Sequence, residues 1–143
     1  MLDASLLRPS WRKHHEEVPV TRPDGSVVGI DEAIAPLLAA LWRAGVDTIN
    51  SCQDHVDGLV YVVLADLSDL DRLLSLVSLG SLTVNVMNDD VGAPDSSPEE
   101  GWRWRYRLRP VDPNGAGPWR FIVSVEFPPA HVPEVIRCLD AYA

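Results

Sequence analysis

The stretch TINSCQDH, Thr48 to His55, places a thiol, an imidazole, a carboxylate and several hydroxyl and amide side chains on consecutive positions. Cys52 and His55 stand three positions apart on what reads as a turn. A turn brings such side chains together, and an imidazole beside a thiol lowers its pKa and makes a sulfur nucleophile. Asp54 or Asp57 could then orient the ring, so Cys52, His55 and Asp54 form the candidate catalytic set. Thr48, Asn50, Ser51 and Gln53 add donors and acceptors at the same strand end, as a small-ligand pocket requires. Two-residue alternation predicts Thr48, Asn50 and Cys52 on one face of their strand.

The same residues admit two other readings. Cys52 and His55 could hold zinc, with His14, His15, His131 or an aspartate completing the set. No second cysteine pair stands at metal-ligand spacing, so the closed structural pattern is missing from the sequence and no metal is assigned. Alternatively, Cys52 is a small buried hydrophobe and His55 a solvated turn residue.

Positioning these residues falls to the elements on either side. VPVTRPDGSVVGI holds two β-prone runs around Pro23-Asp24-Gly25, which predicts a hairpin over about residues 17–30. Asp31 can cap the following helix by accepting a backbone N–H near Ala33 or Ile34. Ile34, Leu37, Leu38, Leu41 and Trp42 form its apolar stripe, and Gly45 suits the left-handed position after its end. Pro36 falls inside this helix and removes a hydrogen bond, which predicts a bend or a late start.

The strands DTINSC and LVYVVLA are predicted to pair antiparallel across QDHVDG, the second lying inside a sheet. Ser68 and Asp71 make a capping-box-like start to a helix buried through Leu70, Leu73, Leu74 and Val77 and ended by Gly80. Leu82, Val84 and Val86 alternate with polar neighbours as a half-buried strand. Residues 1–15 are poorly patterned, and 89–101 read as a mobile acidic loop. Beyond it, Trp102, Trp104, Tyr106 and Leu108 alternate with Arg103, Arg105, Arg107 and Arg109. Trp119 to Phe127 alternate likewise, predicting a long hairpin with one aromatic face formed by Trp102, Trp104, Tyr106, Trp119, Phe121 and Phe127. Pro133 opens a last helix. The sum is α+β: a single domain, 1–143, with an antiparallel-rich sheet and two to three helices packed on one face.

Asp31, Ile34, Pro36, Leu37 and Leu41, followed by Thr48, Ser51 and Cys52, resemble the opening signature of the wybutosine-synthesising methyltransferase family. That family carries an acidic residue, a helix, and Thr-x-x-Ser-Cys or a close variant before a strand. The resemblance covers about residues 31–65 and implies S-adenosylmethionine-dependent methylation of a modified guanosine in transfer RNA. After the cysteine the family has a small residue, Gly and Arg, where this chain has Gln53, Asp54 and His55. The same stretch is similar to small uncharacterised proteins of actinobacteria and their phages.

A net charge of −9 repels polyanions, which counts against nucleic acid and anionic membrane as partners. No apolar run is long enough to cross a bilayer, and no secretory signal opens the chain, so the cytoplasm is the expected compartment. There Cys52 and Cys138 are expected as thiols. The arginine face, Arg103, Arg105, Arg107 and Arg109, is either a solvated face balanced by Glu126 or a surface for anions or self-association. Two functions are therefore carried forward. One is a small-molecule or nucleotide-like ligand pocket at the Cys52–His55 turn, with Cys/His chemistry as its extension. The other is a non-enzymatic interaction protein that uses the arginine face or an aromatic edge. The sequence names no cofactor and no oligomeric state.

Overall fold

A computed structural model describes residues 16–53, 58–80, 84–88, 102–112, 115 and 120–143. The hairpin is β1 (Glu17–Thr21) and β2 (Val27–Asp31), paired from Glu17 opposite Asp31 to Thr21 opposite Val27. Its turn is built by side chains. Asp24 accepts hydrogen bonds from the Ser26 hydroxyl at 2.6 Å and the Ser26 N–H at 2.9 Å, which hold its carboxyl below the usual range. Gly25 supplies the positive φ of 89° that the turn needs.

Asp31 ends the hairpin, and a 3-10 turn, Glu32–Ile34, leads into α1 (Ala35–Arg43). The α-helix starts late enough for Pro36 to fall in its first turn, where a missing N–H costs nothing. At the far end the Gly45 N–H reaches Trp42 O and the Val46 N–H reaches Leu41 O, with Gly45 at φ 82°. This is a Schellman cap, and it stops the helix where the sequence predicts. The predicted stripe Ile34, Leu37, Leu38, Leu41 and Trp42 is buried throughout.

The main sheet contains β3 (Thr48–Cys52), β4 (Val60–Leu64), β5 (Val84–Asn88), β6 (Trp102–Val111) and β7 (Arg120–Phe127) in the order β3-β4-β7-β6-β5. Only the β5–β6 pair is parallel; the others are antiparallel, including the predicted β3–β4 and β6–β7 pairs. α2 (Leu67–Leu79) follows β4, and α3 (Val132–Tyr142) follows β7 after a 3-10 turn. Asp66, not Ser68, caps α2: its carboxylate accepts the Leu67 N–H. Asp66 has the extended backbone a cap requires, whereas Ser68 already lies within the helix.

One face of the sheet carries Val60, Val62, Leu64, Trp104, Val123, Val125 and Phe127, which join the three helices in a continuous core. Val18, Val20, Val28 and Ile30 attach the hairpin to that core. The architecture is α+β. Trp104 and Phe127 stack at 4.6 Å between ring centroids, as aromatic neighbours on adjacent strands do. Phe121 and Leu108 share their parity yet stand exposed, because the apolar face runs past the helices that cover it. Among the described residues no helix is long and apolar enough to cross a membrane.

Candidate functional site

A bulge decides where the polar residues of β3 go. Thr48 pairs with Leu64, but Asn50 pairs with Val63, so the register slips at Ile49. The slip turns Thr48 and Ser51 toward the helix-facing side, with Leu64 and Val62, and sends Asn50 and Cys52 the other way, with Val63 and Tyr61. The expected common face of Thr48, Asn50 and Cys52 is therefore corrected: strict alternation fails because one extra residue reverses the parity.

Cys52 heads a row across the sheet face opposite the helices: Cys52, Tyr61, Glu126 and Arg105 occupy successive partner positions. Its residue is 3% exposed, so the sulfur is not presented to solvent. Glu126 is 1% exposed and accepts from Arg105 at 2.9 Å, with Arg107 at 4.0 Å. Burial, followed by the Glu126 charge, raises the Tyr61 phenol above its usual pKa. The arginine face is thus balanced by Glu126 at its centre, as expected, and Arg107 and Arg109 extend toward solvent beyond it.

Asp54 and His55 lie outside the described residues, as do 1–15, with His14 and His15, and 89–101. His131, weighed as a zinc ligand beside Cys52, belongs elsewhere. Its Nδ1 accepts the Trp104 indole N–H at 3.0 Å on the opposite side of the sheet. Burial lowers its pKa to about 4. Among the described residues no three His, Cys, Asp or Glu side chains gather as a metal site.

Thr48, Asn50 and Ser51 do come together, around a cleft that the sequence does not suggest. β2 and β3 are edges of separate sheets, and no ladder joins them. Two contacts hold them in place. At one end the Gln53 N–H donates to the Asp31 carboxylate at 3.0 Å, while Gln53 Oε1 accepts the Ala33 N–H at 2.8 Å. At the other end Arg22 donates to Asp47 and lies 5.2 Å over the Trp42 ring. Between them is a cavity of about 60 Å³, bordered by Glu17, Arg22, Asp31, Thr48, Asn50 and Ser51, with Trp42 on its inner wall. Arg22 and Trp42 also border a second, more open cavity of about 240 Å³ with Asp24 and Asp47.

The hydrogen-bond directions inside the cleft are fixed. The Trp42 indole N–H donates to Thr48 Oγ1 at 3.0 Å, which leaves the Thr48 hydroxyl hydrogen to act as a donor. Asn50, turned to the other face, accepts the Ser51 N–H with its Oδ1 at 2.9 Å and so bonds its own strand. Glu17, itself exposed, lies over Gly29, where a Cβ would stand 2.3 Å from Glu17 Oε2. Gly29 is the residue that lets this carboxylate lie across the strand. Of the predicted binding residues, Thr48, Asn50 and Ser51 border the cleft, whereas Gln53 braces it. Sequence reading missed Glu17, Arg22, Gly29 and Trp42. Only Trp42 carried a signal, as a core-stripe indole whose N–H needs a partner.

Comparison with protein-family models, curated proteins and solved structures finds no match for this chain.

Proposed function

We propose that the protein binds a small polar molecule in the seam between β2 and β3. The observation that supports this most is the seam itself. Two strand edges that could have zipped into one sheet are held apart around a cavity bordered by charged and hydrogen-bonding side chains. Concave sites with a few convergent polar groups are where small ligands bind, and a bulge beside such a site is a recurrent way of aiming its side chains. The ligand reading needs no chemistry from Cys52, which belongs to the other face of β3. The cytoplasm suits it, because Cys52 and Cys138 are both buried thiols outside any disulfide.

A single water needs at least ~10–15 Å³ of such a cavity, so about 60 Å³ admits a group of only a few heavy atoms. That is a head group, not a whole nucleotide, and any larger body must extend toward the open cavity beyond Arg22. The test is a thermal-shift screen of small polar fragments on the wild type and Thr48→Val, which removes the hydroxyl beside Trp42. A seam ligand raises the melting temperature of the wild type by mass action and loses most of that effect in the variant. Equal stabilisation of both proteins by every hit would refute the reading. Reversal of Arg107 and Arg109 to glutamate should leave the hits unaffected; loss of binding there would favour the arginine face instead.

A further inference from the structure

The seam is bipolar. Glu17 and Asp31 face each other directly across the hairpin, and both border the cavity. Like charges in opposed register are unfavourable in a hairpin, and a cation between them would remove the penalty. Arg22 borders the same cavity from the turn end, where Trp42 and the half-exposed Asp47 hold it. A five-residue strand spans roughly 13 Å, but Glu17 lies over Gly29 and Arg22 over Trp42. Their shared cavity is about 60 Å³, comparable to an amino–carbon–carboxylate unit. On the β3 side, the Thr48 hydroxyl hydrogen is a donor, which suits an anionic group near Arg22.

We propose that the seam takes the zwitterionic head of a compact amino-carboxylic acid, the α-amino acids being its smallest members. The ammonium lies against Glu17 and Asp31, and the carboxylate lies against Arg22 and Thr48. A side chain would leave along Trp42 toward the cavity of about 240 Å³. The inference rests on the ligand reading above and adds the class of ligand.

The experiment is an amide-resolved NMR titration of the full chain with glycine, glycinamide and N-acetylglycine. Glycine is expected to move the amides of Gly29, Asp31, Thr48 and Ser51. Glycinamide lacks the carboxylate and N-acetylglycine lacks the ammonium, and each is expected to bind at least about tenfold more weakly, the worth of one charge-assisted hydrogen bond. Glu17→Gln is expected to weaken glycine about tenfold and to leave N-acetylglycine unchanged. Equal responses to all three probes would overturn the zwitterion. So would silence toward glycine while neutral fragments move the same four amides, a result that keeps the ligand site and removes only its class. Silence of those amides toward every fragment overturns both.

Discussion

The Gln53 N–H donates to the Asp31 carboxylate, and the Gln53 side chain in turn accepts the Ala33 N–H. This exchange does the work expected of Asp31 alone. The carboxylate is turned away from its own helix start, where it makes no capping bond, and Gln53 caps that start from β3. The link joins the hairpin, α1 and the end of β3 at the mouth of the seam.

Gln53→Ala should cost about 1 kcal/mol, the worth of a helix-start acceptor. Asp31→Ala should cost more, about 1–3 kcal/mol, because it strands the Gln53 N–H beside a buried position. Urea unfolding of the two single variants and the double variant measures both effects. Because the residues touch, the double variant should lose less than the sum.

Gly29→Ala separates binding from stability. The added Cβ collides with the far end of the flexible Glu17 side chain, which can swing out to water. Stability should change by under about 0.5 kcal/mol, as for other surface substitutions. Ligand affinity should fall about as far as in Glu17→Gln, which calorimetry on the two variants can compare.

His131 makes the fold sensitive to acid. Its pKa falls from 6.5 to about 4 on burial, so the unfolded chain binds a proton there that the native chain refuses. The stabilisation is complete above pH 6.5 and is lost as the pH falls from 6.5 toward 4. Between pH 7 and pH 4.5 the loss is on the order of 2–3 kcal/mol. His131→Asn keeps an acceptor for the Trp104 N–H and cannot titrate. Its unfolding free energy should change less between pH 7 and pH 4.5 than the wild type's, by about that amount.

Arg105 and Glu126 form a buried pair on the face opposite the helices, with the carboxylate 1% exposed and the arginine side chain 13% exposed. Removing one partner of such a pair costs about 3–5 kcal/mol, because the other charge stays buried. Arg105→Ala should therefore be strongly destabilising by urea unfolding. Arg109→Ala, at the exposed end of the same face, should lie within about 0.5 kcal/mol of the wild type.

The layers of this fold could be read from the sequence because period is a local property. The α1 stripe from Ile34 to Trp42, the Gly45 stop and the Trp104–Arg105 alternation each follow from neighbours a few positions away. The seam could not be read that way, since it joins Glu17, Arg22 and Gly29 of the hairpin to Thr48 and Ser51 of another sheet. No spacing rule connects them. The bulge at Ile49 was equally hidden, and it alone separates Cys52 from Thr48 and puts Thr48 on the face of Ser51. Thr48, Asn50 and Ser51 were found as polar residues at a strand end, without the partners that make them a site.

Crystals soaked with the small polar fragments that raise the melting temperature test the central claim most directly. The account predicts difference density between β2 and β3, within hydrogen-bonding distance of Thr48 or Glu17. Density on the Tyr61–Glu126–Arg105 face, with the seam left empty at full fragment occupancy, would contradict it.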